Sequence, residues 1–245
     1  MDKERKLPHH DQERWAQAKR LLGEAAAASV TNHTRLGLGS GSTVAACIQA
    51  LGHRVRHDGL ELHCIVASEA SRRMAEAQGI RVESVEVSGS LDYAIDGADY
   101  VDSVGTLIKG GGGALVRERM LLESAIRTLI LIDDSKPVAS LDRCVIPVAV
   151  VPFGWRTIKD KLLGQGAEAE LRRHGDQPFM TDDGLFILDT RWNRVSHPLD
   201  LHRQLKLITG VVETGIFVGY HNHVWISDGT GVTRWTPEGP EISGL

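Results

Sequence analysis

The chain has 245 residues, 42% of them hydrophobic and 24% charged, and a formal net charge of −4. This is the make-up of an ordinary globular protein, long enough for one large domain or two modest ones, and its mild acidity gives no general pull toward nucleic acid or an anionic membrane. Three widely spaced cysteines, Cys47, Cys64 and Cys144, contain no CxxC pair, which points away from a disulfide framework and toward a reducing cytoplasm.

The opening stretch, MDKERKLPHHDQERW, is charged and has no apolar region of the kind a secretory signal needs. No apolar run reaches the ~18 residues of a membrane span, so a cytoplasmic protein with no membrane partner is expected. There are eleven histidines, His9 and His10 adjacent among them, but no HxH, HExxH or HxxxH pairing falls on an expected helix. No metal site is therefore expected.

In chain order, residues 11–30 are rich in Ala and Leu and predict a helix. TRLGLG (34–39) predicts a strand, and STVAACIQALG (42–52) a helix that begins at a Ser or Thr cap and ends at Gly52. LELHCIVAS (60–68) predicts a buried strand, and the segment from Ser68 to Gly79 a helix with Ser68 as cap and Gly79 as stop. IRVESVEV (80–87) and LDYAID (91–96) read as further strands. A helix follows the glycine run at 110–113 and leads into the strand TLILIDD (128–134). This βα repetition predicts a mostly parallel sheet with helices on both faces. After about residue 148 the repeat stops. A basic helix at 155–166 and the segments 167–175, 185–192, 198–208 and 211–218 suggest a smaller α+β unit, and HVWISDGTGV (223–232) could return to the main sheet.

Four stretches carry chemistry. GLGSGST (37–43) lies between a strand and a helix. Its glycines allow a sharp turn, and the backbone amides from Ser40 through Gly41 and Ser42 to Thr43 would face outward at a helix N-terminus, with hydroxyls beside them. It has neither the GK[ST] of a P-loop nor the GxGxxG of a dinucleotide site, so a single phosphate suits it better, although a plain glycine turn with a serine cap would look the same. DGAD (96–99) follows a strand and puts Asp96 and Asp99 at its carboxyl end, where ligands of parallel sheets gather; an Asx turn is the alternative.

KGGGGALVRERM (109–120) puts a lysine and four glycines before a helix. On a helical wheel drawn from Ala114 to Ile130, Ala114, Leu115, Leu121, Leu122, Ala125 and Leu129 fall within roughly 60° of Glu118, with Arg127 about opposite. Glu118 is thus a carboxylate inside an apolar stripe, a position that suits a general base or, alternatively, a buried partner of Arg117, Arg119 or Lys109. Gly111 and Gly112 would offer bare amides to a substrate, and Lys109 a cation where negative charge develops. Lys136 in DDSKPV stands past another strand end, where it could reach a phosphate or be an ordinary surface lysine.

Together these loops resemble the type A ribose-5-phosphate isomerase family, whose hallmarks are a GxGTGST loop, a DGADE turn, a KGGGGAL…RE segment and a D-x-SK strand end. PFMTDDGLFILD (178–189) and LITGVVETGIFV (207–218) are similar to further family segments, and the likeness runs from about Glu13 onward. The resemblance implies interconversion of D-ribose 5-phosphate and D-ribulose 5-phosphate without metal or organic cofactor. It implies Glu118 as the base working through a cis-enediolate, with Asp96, Asp99 and Lys109 assisting ring opening and steadying the oxyanion. Lys19, Ser40, Ser42, Thr43 and Lys136 match phosphate contacts. It also implies a Rossmann-like catalytic domain over residues 1–148 with 220–245 returning to it, a small α+β (ferredoxin-like) domain over 149–219, and assembly as homodimers or homotetramers. Tyr100 stands where the family has glutamate, Ser40 replaces threonine, and the 207–218 segment lacks a proline. Two alternatives are an isomerase of the same family acting on another aldose phosphate, and a non-catalytic sugar-phosphate sensor. A sensor would have no reason to keep a base at Glu118.

Overall fold

The computed structural model describes residues 9–83, 90–220 and 223–236, with side chains from residue 11 onward. The first half alternates as its apolar pattern predicts. It runs α1 (His9–Ala28), β1 (Thr34–Leu38), α2 (Gly41–His57), β2 (Leu62–Val66), α3 (Glu69–Ala77) and β3 (Leu91–Gly97). Two short strands, β4 (Tyr100–Val101) and β5 (Leu107–Ile108), precede α4 (Leu115–Ser124) and β6 (Ala125–Asp133). Ser68 caps α3, its Oγ accepting from the Ser71 amide at 3.0 Å. Of the strand expected over 80–87, residues 84–87 lie outside the described residues; before them, Val82 makes one parallel bridge to Cys64.

Two expectations are corrected. Helix α2 does not end at Gly52 but continues to His57, because Val44, Ile48 and Leu51 keep its apolar stripe buried and Arg54 ties its last turns to the Ala27 and Val30 carbonyls. Gly52 is there for room: a Cβ on it would lie 2.4 Å from the Gln78 Cβ. The extension also brings His53 and His57 onto one helix a turn apart, with ring centroids 4.4 Å from each other. Second, the helix carrying Glu118 stops at Ser124, not Ile130. The run from Thr128 to Ile132 is buried on both sides, which suits a central parallel strand, and Leu129 faces α1 and α2 rather than sharing a stripe with Glu118.

The second half runs β7 (Ile146–Val150), α5 (Trp155–Gly164), β8 (Ala167–Leu171), β9 (Arg173–His174), β10 (Gln177–Pro178), β11 (Phe186–Trp192), α6 (Pro198–Lys206), β12 (Val211–Thr214), β13 (Ile216–Phe217), β14 (Val224–Ser227) and β15 (Val232–Trp235). The main sheet has the order β15-β14-β6-β3-β1-β2, with all pairings parallel except the edge pair β14–β15. A four-stranded antiparallel sheet, β12-β7-β11-β8, is joined by α5 and α6 in the order βαββαβ, the ferredoxin-like arrangement. Strands β13, β5 and β4 form a small third sheet.

Successive residues of the main sheet feed opposite cores, as the two-residue strand period demands. Leu36, Leu38, Leu129 and Leu131 pack with Leu22, Val44 and Ile48 of α1 and α2. Ala94, Ile130 and Ile132 pack with Leu115 and Leu122 of α4, and with Ala149 and Ile187 of the second sheet. Each fully buried leucine or isoleucine contributes about 1.5–3 kcal/mol, so the loops at the strand ends rest on a rigid base. Among the described residues, no helix is long and apolar enough to cross a membrane.

Candidate active site

The parallel strands β1, β3 and β6 end side by side, and the loops beyond their carboxyl ends enclose one polar cleft of about 140 Å³. Its lining gathers Ser40, Gly41, Ser42 and Thr43 after β1, Gly97, Ala98 and Asp99 after β3, and Lys109 to Gly112 before α4. Lys19 of α1, Glu118 of α4 and Lys136 beyond β6 complete it. Of the twelve site residues singled out in the sequence, eleven line this cleft. Asp96 lies directly beneath it, bonded to its lining.

Glu118 is 4% exposed, Lys109 3% and Asp96 2%. Such burial of three ionisable groups requires mutual compensation. The Lys109 ammonium supplies it, lying 2.9 Å from Asp96 Oδ2 and 3.3 Å from Glu118 Oε2 while donating to the Gly97 carbonyl. Of the partners weighed for Glu118, Lys109 is the one it meets: Arg117 pairs with Asp183 and Glu69, and Arg119 with Glu213. Ser40 Oγ donates to Glu118 Oε1 at 2.6 Å. Among the described residues Glu118 Oε2 accepts no hydrogen bond; it is buried and lies against the Lys109 ammonium.

Burial and the neighbouring charge of Glu118 push the Asp96 carboxyl up to about 7, against the pull of Lys109 and the Gly97 amide. Burial works against the Lys109 ammonium, but the charges of Asp96 and Glu118 hold it above its ordinary value, so it stays a cation. Gly39 makes room for this cluster: a Cβ there would fall 1.9 Å from Asp96 Oδ1. Asp99 accepts from the Gly111 amide at 2.7 Å and so holds the glycine run against the DGAD turn.

At the other end of the cleft, α2 begins at Gly41, where φ is +86°, and Ser40 is its N-cap residue in extended conformation. The Ser40 side chain makes no cap bond, since it is committed to Glu118. The first-turn hydroxyls of Ser42 and Thr43 and the ammonium groups of Lys19 and Lys136 stand around this positive helix end, and among the described residues neither lysine pairs with a carboxylate. This is the chemistry of a phosphate pocket. Gly97 and Ala98 also line the cleft, although nothing in their residue types announces it. Tyr100 does not line it; it packs in β4 among the apolar side chains of the second sheet. Among the described residues, no group of three or more His, Cys, Asp or Glu is placed to hold a metal ion, the His53–His57 pair included.

The chain has counterparts among known proteins. The family described as ribose 5-phosphate isomerase A (phosphoriboisomerase A) matches residues 63–231. Ribose-5-phosphate isomerase A 1 of Oceanobacillus iheyensis is 40% identical over 200 residues, covering 82% of this chain and 89% of the relative. The ribose 5-phosphate isomerase A structure from Methanocaldococcus jannaschii superposes with a TM-score of 0.84 at 32% identity, covering 89% of this chain and 97% of the other. A D-ribose-5-phosphate isomerase structure in complex with phospho-erythronic acid gives the same TM-score at 33% identity, covering 89% and 96%.

Proposed function

The chain belongs to the ribose 5-phosphate isomerase A family, and from that premise we propose how its cleft interconverts D-ribose 5-phosphate and D-ribulose 5-phosphate. The observation that carries the reading is the position of Glu118: a buried carboxylate lining the cleft, with one oxygen held by the Ser40 hydroxyl and the other against the Lys109 ammonium, in the same cleft as a helix end built for phosphate.

The phosphate sits at the N-terminus of α2, against Ser42 and Thr43 and the Gly41 turn, with Lys19 and Lys136 neutralising its charge. Asp99, which lines the cleft, helps open the furanose ring by passing a proton between the ring oxygen and the C1 hydroxyl, and Asp96, beneath it, assists through its pairing with Lys109. Glu118 then removes the proton on C2 of the open aldose. The electron pair moves to form the C1–C2 double bond of a cis-enediolate, and negative charge grows on the C1 oxygen. Lys109 and the amide of Gly112 face that charge, while the Gly111 amide holds Asp99 beside it. Glu118 returns its proton to C1, the C2 oxygen becomes the ketone, and a proton exchanged between the two oxygens completes the balance.

The reading places the enzyme in the non-oxidative branch of the pentose phosphate pathway, in the cytoplasm, where the buried thiols Cys47 and Cys64 stay unpaired. It divides the chain into a catalytic domain over 1–148 and 220–245 and a small domain over 149–219. It also expects a homodimer or homotetramer, which agrees with Phe153 at 94% and Leu207 at 85% exposure on the small domain. The test is ketose formation from a panel of purified aldose phosphates. Preference for ribose 5-phosphate supports the reading; preference for another aldose phosphate moves the substrate, and binding without turnover makes the protein a sensor.

A further inference from the structure

Resting on the isomerase reading of the cleft, we propose that Arg172, outside every motif above, is a positioning residue that sets the direction of the glycine amides. Arg172 follows β8 in the second sheet, yet its Nη1 donates to the carbonyls of both Gly110 and Gly111, each at 2.8 Å. The rest of its guanidinium is fixed: Nε and Nη2 donate to the two oxygens of Asp189 at 2.9 and 2.5 Å, and the Phe179 ring lies 5.7 Å from its central carbon. All three nitrogens are thus used, two to hold the arginine and one to hold the loop.

In a planar trans peptide, the N–H and C=O point in opposite directions. Turning the Gly110 carbonyl toward Arg172 therefore turns the Gly111 amide the other way, and that amide is found on Asp99, a cleft residue, at 2.7 Å. By the same geometry, the Gly111 carbonyl on Arg172 sends the Gly112 amide to the cleft side, where among the described residues nothing accepts from it. Gly110 and Gly113 have φ values of +98° and +83°, so the run has no side-chain preference to hold it in this shape. Left to itself, a run of four glycines samples many orientations; an amide that must reorient when charge develops stabilises it less than one already aimed. The run's own turn bond, from the Gly113 amide to the Gly110 carbonyl at 3.0 Å, leaves the Gly111 carbonyl unheld, and Arg172 ties both carbonyls from the neighbouring sheet. Lysine, with one compact ammonium, cannot hold Asp189 and two carbonyls together.

The test compares wild type with Arg172→Lys, Arg172→Ala and Asp189→Asn, using Arg173→Ala, a surface neighbour bonded to the Asp176 carbonyl, as control. For ribose 5-phosphate the Arg172 variants should lose roughly 10–100-fold in kcat with KM changed less than about threefold. Affinity for phospho-erythronate, whose carboxylate stands in for the enediolate oxygens, should fall in step with kcat, whereas affinity for inorganic phosphate should hold. Amide hydrogen exchange over residues 110–113 should speed up about tenfold or more in the folded variants, and Arg173→Ala should match wild type. A folded Arg172→Lys with wild-type kcat and unchanged exchange at 110–113 overturns the proposal. If Arg172→Ala does not fold, the lysine and Asp189→Asn variants decide. If wild type fails to isomerise ribose 5-phosphate yet exchange rises as described, the positioning role stands and the isomerase reading falls.

Discussion

Ser40 and Glu118, 78 residues apart in the chain, meet at 2.6 Å, the serine hydroxyl donating to the glutamate carboxylate. The N-cap residue of α2 and the carboxylate of α4 are therefore one unit, and a change at the anion-binding turn is felt by the base. We predict that Ser40→Ala lowers kcat about tenfold by freeing the carboxylate to rotate, that affinity for inorganic phosphate changes less than about threefold, and that Ser40→Thr restores the rate. A loss of phosphate affinity as large as the loss of rate would place the Ser40 hydroxyl on the phosphate instead.

Lys19 and Lys136 reach the cleft from α1 and from the turn after β6, with no carboxylate partner among the described residues. Removing either should act on binding: Lys19→Ala or Lys136→Ala should raise KM for the sugar phosphate about tenfold and leave kcat within about threefold. Steady-state kinetics reads this directly. An unchanged KM with a collapsed kcat would remove that lysine from the phosphate end.

Asp96 gives the fold a pH dependence of definite sign. Its carboxyl keeps its proton up to about 7 in the folded chain, against an ordinary value of 3.8. Between those values folding takes up a proton, so stability falls as pH rises across the window and levels off above it. Urea unfolding should show wild type losing stability relative to Asp96→Asn between pH 4 and 7. A difference that is flat, or that grows in favour of wild type with rising pH, would contradict the burial argument.

How much was legible in the sequence follows from what each feature depends on. The loops of the cleft could be read because glycines, hydroxyls and charges at strand ends have local reasons to be there. Glu118 was legible from the wheel alone, although the wheel ran too far: the β-branched residues from Thr128 onward belong to a strand buried on both faces, and periodicity alone does not separate that from a buried helix. Gly52 reads locally as a helix stop; its contact with Gln78 comes from a distant turn and shows only in three dimensions. Arg172 lay outside any signal. Its partners in the cleft loop are two backbone carbonyls some 60 residues away, and backbone atoms leave no mark on composition.

Gly39 tests the packing beneath the site. A methyl group there would sit 1.9 Å from Asp96 Oδ1 and within 2.0 Å of its Cγ, so Asp96 must move and its pairing with Lys109 must break. Gly39→Ala should cost about 3 kcal/mol or more of stability and at least about a hundredfold in turnover. A variant with wild-type melting temperature and rate would show that the Asp96 carboxylate is freely displaced.

The most direct measurement is turnover of ribose 5-phosphate by Glu118→Gln beside wild type, with phospho-erythronate affinity measured on both. The amide keeps the shape and the Ser40 contact but cannot take a proton from carbon. The account predicts a rate lower by roughly 10²–10⁴ with ligand affinity largely kept. A glutamine variant that turns over at close to the wild-type rate would contradict it.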